Sequence, residues 1–537
     1  MHDVLINGQW RPAGTANDSG TAADVATFQA TNPSTGEVLP NEFPVSPWSD
    51  CDAALDAASQ AAVQLRSVSG RDIAEFLRRF ASEIESDADA LVDAAHRETG
   101  LAKSPRLADG ELPRTTGQLR QAADAAETGS WRMATIDTAA GIRSCYGPLG
   151  PVCVFGPNNF PFAFGSASGG DFASAICAGN PVIAKANSSH PETTRLFAIA
   201  AQRALGAGVL PASTVQLLYR TSHADGARMV ADPRVGACGY TGSRRAGLTL
   251  KAAADAAGKP IYLELSSVNP VVITDAALSE RGEDIANQYV QSVLMGTGQF
   301  CTNPGVVFLT AGPNAETFIE SVGKSFQAGQ PGTLLSPGVV NGLNDSLQAL
   351  TGAGAAVVAG DESAKPDGGR CALPNTLLRI DAAAFLGDPE TFQTEAFGNA
   401  ALVIVGENDE QLLDCIAHLE GNLTGCVYSA NAADEGEEAL AEKYCNALEP
   451  KVGRLLNDKM PTGVAVSEAM NHGGPYPATG HPGFTAVGIP ASVLRFAKLT
   501  SYDAVRSNRL PQILRDSNVN GVQRRIDSVW TTDDVEK

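Results

Sequence analysis

Basic residues are scarce in this chain: 39 Lys and Arg stand against 60 Asp and Glu, for a formal net charge of -21. Nucleic-acid binding needs clustered cations that neutralise phosphates, so this balance excludes that class and points to a soluble protein. No run of about 18 apolar residues occurs, which excludes an apolar membrane-spanning helix, and Met1 to Arg11 carries no apolar signal core. The ten cysteines include no Cys-x-x-Cys pair and no His-rich cluster accompanies them, so neither a disulfide framework nor a zinc site is predicted and no metal is expected. Scattered thiols suit a reducing compartment, and a cytoplasmic protein is expected. Internal repeats and low-complexity segments are also missing.

What is present is length and apolar content. A chain of 537 residues, 43% hydrophobic, exceeds one core and predicts two or more domains. Residues 1–50 read as short strands and turns, with Asn7-Gly8 and Asn32-Pro33 as turn signals. From Cys51 to about Gly100, and again from about Arg114 to Thr128, apolar residues recur at helical spacing. Beyond Gly147 short apolar runs alternate with helical stretches: Val152 to Phe155, a helix to Cys177, Pro181 to Ala184, a helix to Leu205, then Val215 to Tyr219. That texture predicts an α/β fold with a parallel sheet of βαβ units, suited to a dinucleotide. A second alternating region begins at Pro260 and runs to about residue 470, and the polar tail after Asp516 reads as a surface arm.

Cys301 stands inside Gly296-Thr297-Gly298-Gln299-Phe300-Cys301-Thr302-Asn303-Pro304-Gly305. Small neighbours let a substrate reach the sulfur, and nearby backbone N–H groups can stabilise a thiolate and a developing oxyanion. The residues alone leave open a buried structural cysteine. Glu264 stands at the end of a Tyr-Leu-Glu-Leu strand and precedes the turn Ser266-Ser267-Val268-Asn269-Pro270; a carboxylate among apolar side chains has reason for a raised pKa and can act as a general base on water. A salt-bridged glutamate is the structural alternative.

Taken together, Cys301 in Gly-Gln-Phe-Cys-Thr and Glu264 in Leu-Glu-Leu, 37 residues earlier, resemble the active-site pair of the aldehyde dehydrogenase superfamily. Asn159 in Gly156-Pro157-Asn158-Asn159-Phe160-Pro161 matches that family's oxyanion-binding asparagine. Tyr240-Thr241-Gly242-Ser243 with Gly247 is similar to its cofactor loop, and Glu395-Ala396-Phe397-Gly398 to the motif whose glutamate holds the nicotinamide ribose. Five matches in order span about 240 residues. The resemblance implies oxidation of a small-molecule aldehyde to a carboxylate through a thiohemiacetal and thioester on Cys301, with Glu264 activating the deacylating water. It also implies Gly242, Ser243, Gly247, Glu395 and Phe397 at the cofactor.

By the same match Lys185, in Ile183-Ala184-Lys185-Ala186-Asn187-Ser188, binds the adenosine ribose. Family members that prefer NAD usually carry glutamate where Ser188 stands; an uncharged hydroxyl removes its repulsion of a 2′-phosphate, so NADP is favoured with NAD possible. Arg220 is a candidate partner for that phosphate, or else a solvated loop arginine. No Gly-x-Gly-x-x-Gly follows a strand, so the ordinary dinucleotide fingerprint is absent.

Longer stretches, including Arg114 to Arg120, Glu264 to Pro270 and His472-Gly473-Gly474-Pro475-Tyr476-Pro477-Ala478-Thr479, resemble the branch holding 2-oxoglutarate semialdehyde dehydrogenases and NADP-dependent fatty aldehyde dehydrogenases. For an acidic semialdehyde, Arg114 or Arg120 is the candidate cation, against surface or structural ion-pair roles; Phe160, Phe162 and especially Phe164 suit a tunnel wall. Two departures from the family pattern carry expectations: Asn399, where proline is common, predicts a looser ribose loop, and Ser266-Ser267, where Gly-Gly or Gly-Ser is usual, predicts an altered mobility of the base. The implied layout is a cofactor domain over 1–134 and 148–259, a catalytic domain over 260–475, a bridging or oligomerisation element over 135–147 and 476–515, an arm over 516–537, and a homodimer or homotetramer.

Overall fold

The computed structural model describes residues 1–15, 25–360 and 369–535. Two seven-stranded sheets dominate it, with a five-stranded sheet beside them. In the first sheet the strand order is Ile261–Glu264, Ala237–Thr241, Val152–Phe155, Val182–Lys185, Val215–Leu218, Val4–Ile6, Gln9–Arg11. The first five strands run parallel, and the hairpin of Val4–Ile6 and Gln9–Arg11 adds antiparallel at the far edge. Val152–Phe155 and Val215–Leu218 are buried along their whole length, the pattern of parallel strands covered by helices on both faces. Helices Trp48–Leu65, Gly170–Cys177 and Pro191–Gly206 pack on these strands, and Gly70–Ser86 and Leu112–Thr128 pack behind Gly170–Cys177; Gly70–Ser86 buries Ile73, Phe76, Leu77, Phe80 and Ile84 on one stripe behind a Ser69–Asp72 capping box.

The second sheet runs Ala356–Ala359, Thr376–Asp381, Ala400–Gly406, Val306–Thr310, Val271–Ile273, Asn422–Tyr428, Val452–Asn457, parallel except at its first strand. The two-residue period splits its side chains between two cores: Val271, Ile273, Val307 and Leu309 face one, Val272, Val306 and Phe308 the other.

The expected α/β architecture is the one observed, with two boundaries moved. Strand Ile261–Glu264 pairs with Ala237–Thr241 and so belongs to the first sheet. The base candidate therefore sits on the cofactor domain, and the catalytic sheet begins only at Val271. Residues 516–535, expected as a surface arm, join a sheet. Arg524–Ile526 and Val529–Thr531 form a hairpin, and Arg524–Ile526 adds in parallel to Thr135–Asp137, extending the sheet that also holds Ile142–Pro148 and Ala497–Asp503. Arg524 is fully buried there, bonded to the carbonyls of Arg515, Asp516 and Asp533, a role composition does not show in a polar tail. The last two residues of that segment lie outside the described residues.

Candidate active site

In open parallel sheets, ligands bind beyond the carboxyl ends of the strands where the strand order reverses. Here Val152–Phe155 has Val182–Lys185 on one side and Ala237–Thr241 on the other, so the reversal lies at the loops after Phe155 and Thr241. Those loops carry Asn159 and Gly242-Ser243; Lys185 and Glu264 end their strands.

The candidate nucleophile, Cys301, lies on the segment that precedes the second sheet's strand Val306–Thr310. After helix Asp275–Leu294 the chain turns through Gly296, Thr297 and Gly298, all at positive φ. Gly298 has no alternative: a Cβ there would lie 1.9 Å from the Gly398 carbonyl oxygen. That contact seats the Glu395–Gly398 loop against the nucleophile turn. Asn269, itself at φ 49°, donates from Nδ2 to the carbonyls of Cys301 and Asn303, both at 2.8 Å. Cys301 is thereby held from the base's own turn.

Three side chains meet at the sulfur. His472 Nε2 lies 3.4 Å from Cys301 Sγ and 3.0 Å from Glu264 Oε1, and the three candidate ligand atoms fall within 4.8 Å of one another. Glu264 is 1% exposed and its Oε2 has no hydrogen-bond partner. The return of the chain beside the Glu264 strand brings His472 in: Leu265 N–H donates to Ala478 O, Thr479 bridges Glu264, and the Thr485 hydroxyl accepts from His472 N–H at 2.9 Å. In the sequence His472 stands only within a stretch of family resemblance; as one of seven histidines, next to glycines and far from 264 and 301, it carries no local signal.

Burial pushes the Cys301 thiol well above its ordinary value, and the Glu264 charge adds to this, while Arg114 opposes it. Burial is the largest of these causes, so the surroundings favour the protonated thiol. Deprotonation needs an acceptor, and His472 Nε2 is within reach.

Asn159 is buried and donates one Nδ2 hydrogen to Gln299 O at 3.0 Å, aiming its amide at the turn just before Cys301. Its loop rests on a buried ion pair absent from the sequence reading. Glu111 Oε1 accepts from Phe162 and Ala163 N–H; Glu111 Oε2 pairs with Arg106 Nη1 at 2.6 Å, and Arg106 Nη2 donates to Asn159 O at 2.8 Å. The three phenylalanines divide. Phe162 is fully buried and packs on Phe197, away from the cleft, whereas Phe160 meets Phe300 and Phe164 meets the His472 ring.

Arg114 and Arg120 also divide. Six residues on a helix turn the side chain by about 240°, onto another face. Arg120 forms a two-bond pair with exposed Glu85. Arg114 lies over the Phe164 ring, 5.4 Å from its centroid, and donates from Nη1 to Val464 O. Its Nε and Nη2 are buried without partners. Arg454, which sequence reading missed, donates to the carbonyls of Pro461 and Gly463, and Thr302 Oγ1 donates to Thr462 O at 2.9 Å. Four consecutive carbonyls, 461 to 464, are therefore held by two guanidinium groups and by the residue following the nucleophile.

On the cofactor side, burial and the Arg220 charge lower Lys185 to about 8. Ser188 is half-buried and Arg220 is exposed. Helix Arg244–Ala256 starts at Ser243, and buried Gly247 in its first turn lets it pack close, since a Cβ would lie 2.5 Å from Leu265 Cδ2. Such an N-terminus suits a pyrophosphate. Burial raises Glu395 to about 7 against hydrogen bonds from the Ser266 side chain and the Ser267 backbone, which lower it. Of the two departures from the family pattern, the one beside the base adds hydrogen bonds, and the expected looser ribose loop is corrected. Ser267 Oγ bonds Asn269 and Asn422 and so fastens the base's turn, and Asn399 Nδ2 bonds Leu373 O and Asn375 Oδ1 at 2.9 and 2.8 Å, which ties the loop down. Phe397 is half-buried beside Glu395.

Residues 21–446 match the model of the aldehyde dehydrogenase family, and the chain belongs to that family. It is 38% identical over 517 residues to alpha-ketoglutaric semialdehyde dehydrogenase 2 of Azospirillum brasilense, covering 94% of this chain and 96% of the relative. It is 34% identical over 527 residues to the alpha-ketoglutaric semialdehyde dehydrogenase of Acinetobacter baylyi, covering 96% and 98%. Lactaldehyde dehydrogenase from Escherichia coli shares the fold with a TM-score of 0.77 at 21% identity, over 93% of this chain and 98% of that one. PnpE in complex with nicotinamide adenine dinucleotide does so at 0.78 and 20%, over 96% and 100%. The protein is an aldehyde dehydrogenase using NAD(P). Among the described residues no helix is long and apolar enough to cross a membrane.

Proposed function

We propose that this enzyme oxidises 2-oxoglutarate semialdehyde (2,5-dioxovalerate) to the dicarboxylate, with NADP preferred over NAD. The full-length likeness to two alpha-ketoglutaric semialdehyde dehydrogenases carries the reading. Arg114 supports it: two buried donors without partners cost about 1–3 kcal/mol each, and a substrate carboxylate satisfies both at once. Arg454 joins it on the 461–464 segment, which Thr302 anchors to the nucleophile.

The chemistry follows from the cluster. His472 Nε2 takes the Cys301 proton as sulfur attacks the aldehyde carbon, and the imidazolium is stabilised by the Glu264 carboxylate. Asn159 Nδ2 and the Cys301 N–H are the donors for the oxyanion of the thiohemiacetal, a contribution of roughly 3 kcal/mol per donor in comparable sites. Held by Glu395, Lys185 and the Gly242-Ser243 turn, bound NAD(P) would supply the hydride acceptor that turns the thiohemiacetal into a thioester. Glu264 then draws a proton from the water that hydrolyses the thioester, releasing acid and free thiol. Lys185 and Arg220, two cations close enough to depress the first, would hold a 2′-phosphate that Ser188 does not repel; Glu395 would hold the nicotinamide ribose, and Gly242, Ser243 and Gly247 would admit the pyrophosphate. The ten free thiols support a cytoplasmic location. Edge strand Ala497–Asp503, with Leu499 exposed, supports pairing into a homodimer or homotetramer.

The test is a steady-state comparison of 2-oxoglutarate semialdehyde with pentanal under both cofactors. We expect kcat/KM at least about 100-fold higher for the semialdehyde, a difference of about 2.7 kcal/mol, and higher with NADP. An uncharged chain used equally well would overturn the substrate assignment.

A further inference from the structure

The meeting of sulfur, imidazole and carboxylate has a second chemical meaning, independent of which aldehyde the enzyme uses. Tetrahedral zinc takes Cys sulfur at about 2.3 Å, His nitrogen at about 2.0–2.1 Å and carboxylate oxygen at about 2.0–2.2 Å, so neighbouring ligand atoms stand roughly 3.2–3.7 Å apart. His472 Nε2 is 3.4 Å from Sγ and 3.0 Å from Glu264 Oε1, with all three ligand atoms inside 4.8 Å. The set is already close to the edges of such a tetrahedron. Glu264 adds a second observation: it is 1% exposed, yet its Oε2 is buried with no hydrogen-bond partner. The His472 backbone is pinned on both sides, by Thr485 Oγ1 and by the Ala486 N–H, and its ring packs against Phe164, 5.4 Å between centroids.

We propose that Cys301, His472 and Glu264 form a three-ligand Zn²⁺ site that inhibits the enzyme reversibly. Two anionic ligands and a neutral imidazole match a divalent cation of borderline softness. On binding, the thiol proton passes to solvent and the sulfur bonds to zinc; His472 offers its Nε2 lone pair and Glu264 a carboxylate oxygen, with no change of oxidation state. A fourth position faces the opening that leaves Cys301 partly exposed, and a water fills it. Zinc and aldehyde then compete for one sulfur. Cys445 is the other incompletely buried thiol, and it lies beside Asn457 away from this cluster, which makes it the control.

The experiment titrates the full-length protein with chelator-buffered Zn²⁺ and follows bound metal by elemental analysis, turnover, and alkylation of Cys301 by iodoacetamide; Co²⁺ serves as the spectroscopic probe. We expect one zinc per chain, half-inhibition at about micromolar free zinc or below, full recovery on adding EDTA, protection of Cys301, and a thiolate-to-cobalt charge-transfer band. His472→Asn should weaken zinc binding by more than about 100-fold, beyond the 10–100-fold cost of losing an outer partner. Glu264→Gln should weaken it by a smaller factor and serves should the first variant not fold. Because metal content is the readout, the catalytic cost of either change does not confuse the result. Unchanged affinity in the folded variants, no thiolate-to-cobalt band, or loss of inhibition in Cys445→Ser would each overturn the site.

Discussion

His472 Nε2 lies 3.0 Å from Glu264 Oε1, a pair of buried side chains separated by 208 residues of chain. One ring nitrogen faces both the Cys301 sulfur and the carboxylate, so the proton it accepts from the thiol is then shared with Glu264. Loss of His472 should therefore slow acylation and loss of Glu264 should slow deacylation. In stopped-flow measurements Glu264→Gln should give a burst of about one reduced cofactor per chain followed by turnover slowed about 10²-fold or more. His472→Asn should instead abolish the burst and shift iodoacetamide alkylation of Cys301 to higher pH. A burst in both variants would remove the histidine from the first step.

Cys301→Ala should eliminate aldehyde oxidation while leaving the cofactor Kd within about twofold, since Glu395, Lys185 and the helix at Arg244 bind independently of the sulfur. Equilibrium titration of cofactor fluorescence, beside a rate assay, checks both halves. Appreciable residual turnover would mean that another group is the nucleophile.

Ser188→Glu restores a carboxylate that repels a 2′-phosphate and accepts from ribose hydroxyls. The NADP/NAD ratio of kcat/KM should fall by at least about tenfold, or 1.4 kcal/mol. An unchanged ratio would show that this position does not select the cofactor.

Lys185 is held at about 8 by burial and by Arg220, so it is cationic below that pH and loses its proton as pH rises through it. A bound 2′-phosphate favours the charged form and raises this value. Binding of NADP near pH 8 should thus take up protons, and its KM should climb above pH 8, whereas the KM for NAD should change less. Calorimetry in buffers of different ionisation enthalpy reads the proton uptake directly, and Lys185→Met should abolish it. Equal proton uptake with NAD would place the effect elsewhere.

Local sequence was enough for the elements whose signal is local. Periodicity and turn residues marked the βαβ strands from Val152 to Tyr219, and motif order brought out Asn159, Glu264 and Cys301, because each of these lies on a short segment whose residues also build its turn. The helix phase of Arg114 and Arg120 was equally local, but which face met the cleft was not. Neither was the alternation that sends Phe162 into the core and Phe160 and Phe164 towards the nucleophile, since a loop has no fixed period.

By itself, then, the sequence determined the α/β class and the family, and singled out Cys301 and Glu264 as candidates for nucleophile and base. Only the tertiary structure decided that His472 stands between them, that Glu111 and Arg106 brace the Asn159 loop, that Arg454 joins Arg114 around the 461–464 carbonyls, and that the polar tail is a strand pair around buried Arg524. The reason is physical. These groups act through contacts between segments dozens to hundreds of residues apart, and such contacts exist only once two sheets and their return loops have packed.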